Sequence, residues 1–269
     1  MMMNNTCVSF GTFEFIHKGH KKIAETVVQV AKERGLTPAI VSFEKEGKVF
    51  TTEEEKEYLL KSLGIEMVLS FGEISIKELL NVLASKVVVV GEHHAQLNEL
   101  KLATDQFGIE VITVPVVKED DRIIDDKWLE ELYDASDYKN ITKLCGHPYI
   151  MIGEVVHGKK LGRTENMPTA NIQVSANKRK PKHAVYGARI CLGDETMDAV
   201  VNIGKRPTVD DFDYTTIEAL ILDFKREIYG EKLILEVHKF IRDIKKFDSL
   251  AEVKEQVDKD IASFKERGI

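Results

Sequence analysis

Two short stretches of this chain hold residues whose types and spacing can do chemistry. The first is GTFEFIHKGH, Gly11 to His20. It closes an apolar run and opens an amphipathic one, with His17 and His20 three positions apart and Gly19 between them. Histidines at the start of a helix lie beside free backbone N–H groups and the positive end of the helix dipole. There they can hydrogen-bond and neutralise a triphosphate while its α-phosphate is attacked. Gly11, Phe13, His17, Gly19 and His20 are the candidate nucleotide-binding residues. The competing reading is structural: His20 caps the helix and His17 packs. The second stretch is GEVVHGKKLGRTENMPTANIQV. Gly158 and Gly162 let backbone N–H groups approach phosphates, while Lys159, Lys160 and Arg163 add positive charge. Thr169 and Asn171 of PTAN offer a hydroxyl and an amide oxygen, donors that suit Mg²⁺. A polar hairpin with a Pro-stiffened entrance is the competing reading here.

The elements that must carry these residues alternate in two styles. In the first half, TCVSFGTF, TPAIVSF, EMVLSF, KVVVVG and EVITVPVV read as strands. Between them lie amphipathic helical patterns such as HKKIAETVVQVAKERG and TTEEEKEYLLKSLGI, the latter with a Thr cap and an acidic first turn. Such alternation predicts a parallel sheet flanked by helices, a Rossmann-like α/β domain. The charged stretch KEDDRIIDDKWLEELYDASDYKNITKLCGHPY reads as a mostly helical join. From Tyr149 on, short strands separated by Gly, Pro, Asn and Asp turns predict a small antiparallel β-barrel, closed by the amphipathic helix SLAEVKEQVDKDIASFKERG. The expected domains are 1–145, including the linker helices, and 146–269.

Composition narrows the function classes. Of 269 residues, 43% are hydrophobic and 31% charged, with a net charge of −7. The acidic excess sits in the first 145 residues, which argues against nonspecific nucleic-acid binding, since that needs clustered cations. No apolar run spans a bilayer, and no signal peptide is expected from MMMNNTCVSF. Three widely spaced cysteines suit a reducing compartment, so the expected location is cytoplasmic, with no membrane partner. The oligomeric state is not legible. His93-His94 is a candidate metal pair of poor spacing. EDDRIIDD reads as a solvated linker, and Trp128 as a packing residue.

The second half resembles the riboflavin kinase module of the bacterial bifunctional riboflavin kinase/FAD synthetase family. GEVVHGKKLGR, MPTANI, AVYGARI, VVNIGKRPTV, IEALILDF, EIYG and KFIRDIKKFDSLAEVKEQVDKD occur in the family's order. The resemblance implies that Thr169 binds Mg²⁺ and nucleotide phosphate, with Asn171 nearby. Gly158, Lys160 and Gly162 would lie in the loop over the phosphates. It implies that Glu218 is the general base acting on the 5′-hydroxyl of the ribityl chain, and that Arg242 lies near the flavin. Read as a residue alone, Glu218 is a strand glutamate facing solvent, as most such residues are. The family's Gly before the VY pair is Ala184 here, which should cost backbone freedom at a turn.

The first half is similar to the FMN adenylyltransferase module of the same family, in the HxGH nucleotidyltransferase superfamily. HKGH is intact, and TTEEEKEYLLKSLGIEMVL and VVVVGE follow in place. Three features depart. The family's Asp-Gly is Glu14-Phe15, which should put a bulky ring where ligand or backbone approaches. An Asp/Asn-Phe-x-Phe-Gly segment is replaced by His93 to Leu97. The closing Ser-Ser-Thr-x-Ile-Arg motif is replaced by IIDDKWLEEL, with Asp125, Asp126, Lys127 and Trp128. Carboxylates repel a triphosphate, and Lys127 lacks the planar fork of Arg. The expectation is a riboflavin kinase using ATP and Mg²⁺, with riboflavin, FMN and ADP as its other ligands, and a degenerate adenylyltransferase domain. The alternatives are a fully bifunctional enzyme and a flavin-responsive binding or regulatory protein.

Overall fold

The structure, a computed structural model, describes residues 5–94, 97–157, 169–205 and 215–266. It divides into two compact units, Met1–Leu129 and Glu130–Ile269. In the first, β1 (Thr6–Gly11), β2 (Thr37–Phe43), β3 (Met67–Phe71), β4 (Ser85–Gly91) and β5 (Glu110–Val114) form a five-stranded parallel sheet, ordered β3-β2-β1-β4-β5. The helices α1 (Lys18–Arg34), α2 (Glu53–Ser62), α3 (Ile76–Val82) and α4 (Leu97–Phe107) link the strands. Val8, Phe10, Val41, Val88 and Val90 of the sheet pack on Leu79, Leu80 and Leu83 from α3 and its end, and on Leu100 of α4. The alternate residues Cys7 and Ser9 are buried too, so β1 is covered on both faces.

Local signals set the helix ends. Thr52 and Glu55 form a capping box on α2, and Ser75 and Glu78 form another on α3. Gly35 ends α1 at φ 64°, the left-handed conformation that a glycine adopts without Cβ strain. The strand order reverses between β1 and β4, so a crevice opens at their C-terminal ends.

Downstream, the charged join does not start as a helix. Lys118–Glu119 (β6) and Arg122–Ile123 (β7) pair as a hairpin around Asp120 (φ 48°) and Asp121 (φ 64°). Both turn residues are left-handed, as a tight primed turn requires, and Asp tolerates that region better than most residues. The helices α5 (Asp126–Asp134) and α6 (Tyr138–Cys145) follow. The units divide before the expected 145/146 boundary, because α6 packs on strands of the second unit.

That unit is a closed antiparallel barrel of β8 (Tyr149–Val156), β9 (Ala170–Val174), β10 (Ala184–Leu192), β11 (Glu195–Lys205), β12 (Thr215–Ile221) and β13 (Lys232–Asp243). Its order is β10-β11-β12-β9-β8-β13. Val201, Ile203, Ile217 and Ala219 are buried, while Asn202 and Glu218 alternate with them on the other face. The helix α7 (Leu250–Lys265) lies on β10, β11 and β13. A Cβ at Gly187 would stand 2.1 Å from the Phe264 ring, so the glycine is what seats α7 on β10. Ala184 opens β10 with no positive φ and is fully buried, so the expected backbone cost does not arise.

Candidate active site

In the barrel unit, the candidate residues fall on one hydrogen-bonded row. Asn171 of β9 pairs with Glu218 of β12, and Glu218 pairs with Asn202 of β11. Asn202 then pairs with Val185 of β10, and Val185 with Arg242 of β13. Facing residues of antiparallel strands project to the same side, with Cβ atoms about 5 Å apart. Asn171 and Glu218 therefore present an amide and a carboxylate side by side, next to the exposed Thr169 at the entrance of β9. Their donors are oxygens, the set that a hard cation such as Mg²⁺ prefers. Gly158, Lys160 and Gly162 lie outside the described residues.

Arg242 has a defined task in the fold. Its guanidinium donates to both carboxylate oxygens of Asp260, at 2.8–3.1 Å, and so ties α7 to the barrel. Asp260 is 2% exposed, and Gln256 also donates to it.

Beside Thr169 is a cavity of about 230 Å³, lined by Val155, Ile221, Phe224, Ile228 and Tyr229 among others. The His157 ring stacks on Tyr229 at 4.0 Å. Neither aromatic, nor Asn202, stood out in the sequence. Only strand register and the segment after β12 bring them near Thr169 and Asn171.

In the first unit, HKGH sits at the β1 end of the crevice, on a cavity of about 610 Å³ that also touches His94, Val90 and Asp126. The capping role belongs to His17 rather than His20. The His17 Nδ1 accepts from the backbone N–H of Gly19 (3.0 Å) and His20 (3.4 Å). A Cβ at Gly19 would stand 2.8 Å from the His17 ring, so the glycine lets that ring fold back over the helix start. The His20 Nδ1–H donates to the Phe15 carbonyl, and the two rings stack at 3.9 Å. Burial, then the neighbouring His20, pushes the His17 pKa down to about 2, so the ring is neutral. Burial likewise holds His20 below the usual histidine range.

Asp126 completes the group. Its Oδ1 accepts from the Phe15 N–H and lies 4.0 Å from the His17 Nε2. Its carboxyl is pushed up chiefly by burial and further by Glu14, while His20 and the Phe15 N–H pull the other way. Among the described residues, His17, His20 and Asp126 are a trio close enough to share a metal ion. With its Nδ1 lone pair already accepting, the neutral His17 ring carries its proton on Nε2, which suits a carboxylate and not a metal. His94 packs edge-on against Phe10.

Glu14 and Phe15 turn inward. The Phe15 ring packs on Phe50 at 4.2 Å, so it does not fill the crevice as expected from its bulk. The Glu14 carboxylate accepts from the Phe50 N–H, and the Thr51 hydroxyl donates to the Glu14 carbonyl. Trp128 lies under the Arg122 guanidinium at 4.5 Å.

Comparison with known proteins covers both units. A riboflavin kinase family model matches residues 145–267, and an FAD synthetase family model matches residues 1–127. The bifunctional riboflavin kinase/FMN adenylyltransferase of Bacillus subtilis is 29% identical, over 94% of this chain and 89% of its own. That of Escherichia coli K12 is 26% identical, over 94% and 90%. A crystal structure from Streptococcus pneumoniae, described as a macrolide-efflux protein, superposes with a TM-score of 0.80 at 26% identity. It covers 97% of this chain and 94% of that one. Among the described residues, no helix is long and apolar enough to cross a membrane.

Proposed function

The chain belongs to the bifunctional riboflavin kinase/FAD synthetase family, and from that premise we propose that its barrel phosphorylates riboflavin while its first unit has lost FMN adenylylation. The observation that carries the kinase reading is the pairing of Glu218 with Asn171 beside Thr169. Glu218 takes the proton of the riboflavin 5′-hydroxyl as that oxygen bonds to the γ-phosphorus of ATP. The bond from that phosphorus to the β,γ-bridging oxygen breaks, and FMN and ADP leave. Thr169 and Asn171 would hold Mg²⁺, which neutralises phosphate charge when bound. The aromatic cavity by Thr169 suits the nucleotide's base, with Gly158, Lys160 and Gly162 over its phosphates, and Arg242 toward the flavin.

Loss of adenylylation is supported by what occupies the phosphate end of the crevice. The N–H groups of Gly19 and His20 are already capped by His17, and the Asp126 carboxyl stands against both histidines. A triphosphate would have to displace the first and approach the second. One observation favours the fully bifunctional reading: the FAD synthetase model matches 1–127, with both HKGH histidines in contact.

A chromatographic product assay separates the readings. Mg²⁺-ATP is supplied with riboflavin in one reaction and with FMN in another. FMN from the first and no FAD from the second is the expected result. FAD from the second establishes the bifunctional enzyme. No turnover in either leaves a flavin-responsive binding protein.

A further inference from the structure

We propose that Asn202 is a substrate-positioning residue that binds the hydroxylated side chain of the flavin, between Glu218 and the ring end of the site. The inference rests on the kinase reading above. In strand register, the row runs from the carboxylate of Glu218 to the exposed amide of Asn202, then the small, buried Val185, then the guanidinium of Arg242. Three strand spacings separate its ends, about 14 Å along the sheet. An extended polyol joined to a tricyclic ring is of that order of length. The succession of groups also matches the ligand's parts. With the terminal hydroxyl at Glu218, the inner hydroxyls lie over Asn202 and the ring lies beyond them, toward α7.

The chemistry of Asn fits that place. A carboxamide both donates and accepts, as hydroxyls do. A second carboxylate beside Glu218 would repel it, and a cation would pair with it and quench the base. Asn202 is exposed, and the next residue on its face of β11 is Gly204. The Asn202 Nδ2 lies 3.7 Å from where a Gly204 Cβ would stand, so the glycine itself puts no side chain against the amide.

The test uses the full chain and flavin fluorescence titration, which reads binding without turnover. The probes are riboflavin and a flavin whose alkyl chain keeps only its terminal hydroxyl. Asn202→Ala should weaken riboflavin binding about tenfold and the alkyl flavin less than about twofold, as loss of one hydrogen bond predicts. Asn202→Ser, which keeps a hydroxyl, should recover part of the loss. Equal weakening of both probes would mean a structural role and overturn the proposal, as would no weakening of either. A wild-type protein that makes no FMN fails the kinase reading and takes the proposal with it. FMN formation with an unselective Asn202→Ala fails the proposal alone.

Discussion

Glu218→Gln exchanges one oxygen for an amide and keeps the shape of the row. It should lower the rate of FMN formation by about 10²–10⁴-fold, the usual worth of a general base, with riboflavin binding retained by fluorescence titration. His17 makes a second residue-scale prediction. Its folded pKa lies below that of a free histidine, so between about pH 2 and 6.5 the unfolded chain binds the extra proton. Stability therefore rises with pH across that window and falls on acidification. His17→Asn keeps a cap acceptor without a titrating ring. It should remove about 2 kcal/mol of the stability lost between pH 7 and pH 5, read from urea midpoints. The types of these residues were legible in the sequence, but their directions were not. Phe15 looked like an obstruction and instead is buried against Phe50. The structural alternative gave the cap to His20, and it is His17 that caps the helix.

At the scale of elements, α7 depends on two contacts with the barrel. Gly187→Ala drives a methyl into the Phe264 ring and should destabilise the barrel unit by about 1–3 kcal/mol. Combined with Phe264→Ala, the loss should be smaller than the sum of the two single variants in urea unfolding. Asp260→Asn unpairs the Arg242 guanidinium at a buried site and should cost about 3 kcal/mol. Most elements could be read from periodicity and caps: the α1 pattern ends at Gly35, and Thr52 opens α2. The β6–β7 hairpin was hidden because its turn is built from two aspartates, whose charge reads as a solvated linker. Ala184 looked like a strained turn until its strand was known.

At the scale of the whole molecule, each unit has its own sheet and its own candidate site. His20→Ala should alter the HKGH crevice and leave the rate of FMN formation within about twofold of wild type, as expected for sites built by separate units without shared partners. Alternation of strands and helices, then of strands and turns, made the two architectures legible. The strand orders were not, because they depend on which strands meet and not on any one strand's composition. The row from Asn171 to Arg242 was hidden for the same reason.

That row also has a reading frame. Side chains on a strand alternate with a period of two, so deleting one residue within β12 beyond Glu218 would slide its pairing by one place. The carboxylate would then face inward among Ile203 and Val201, while an apolar neighbour took its place outside. Substitutions edit this site one letter at a time, whereas a shift of frame inverts it at once. The chain between the strands can therefore change in length over descent, but the strands of the row have to be inherited residue for residue in number.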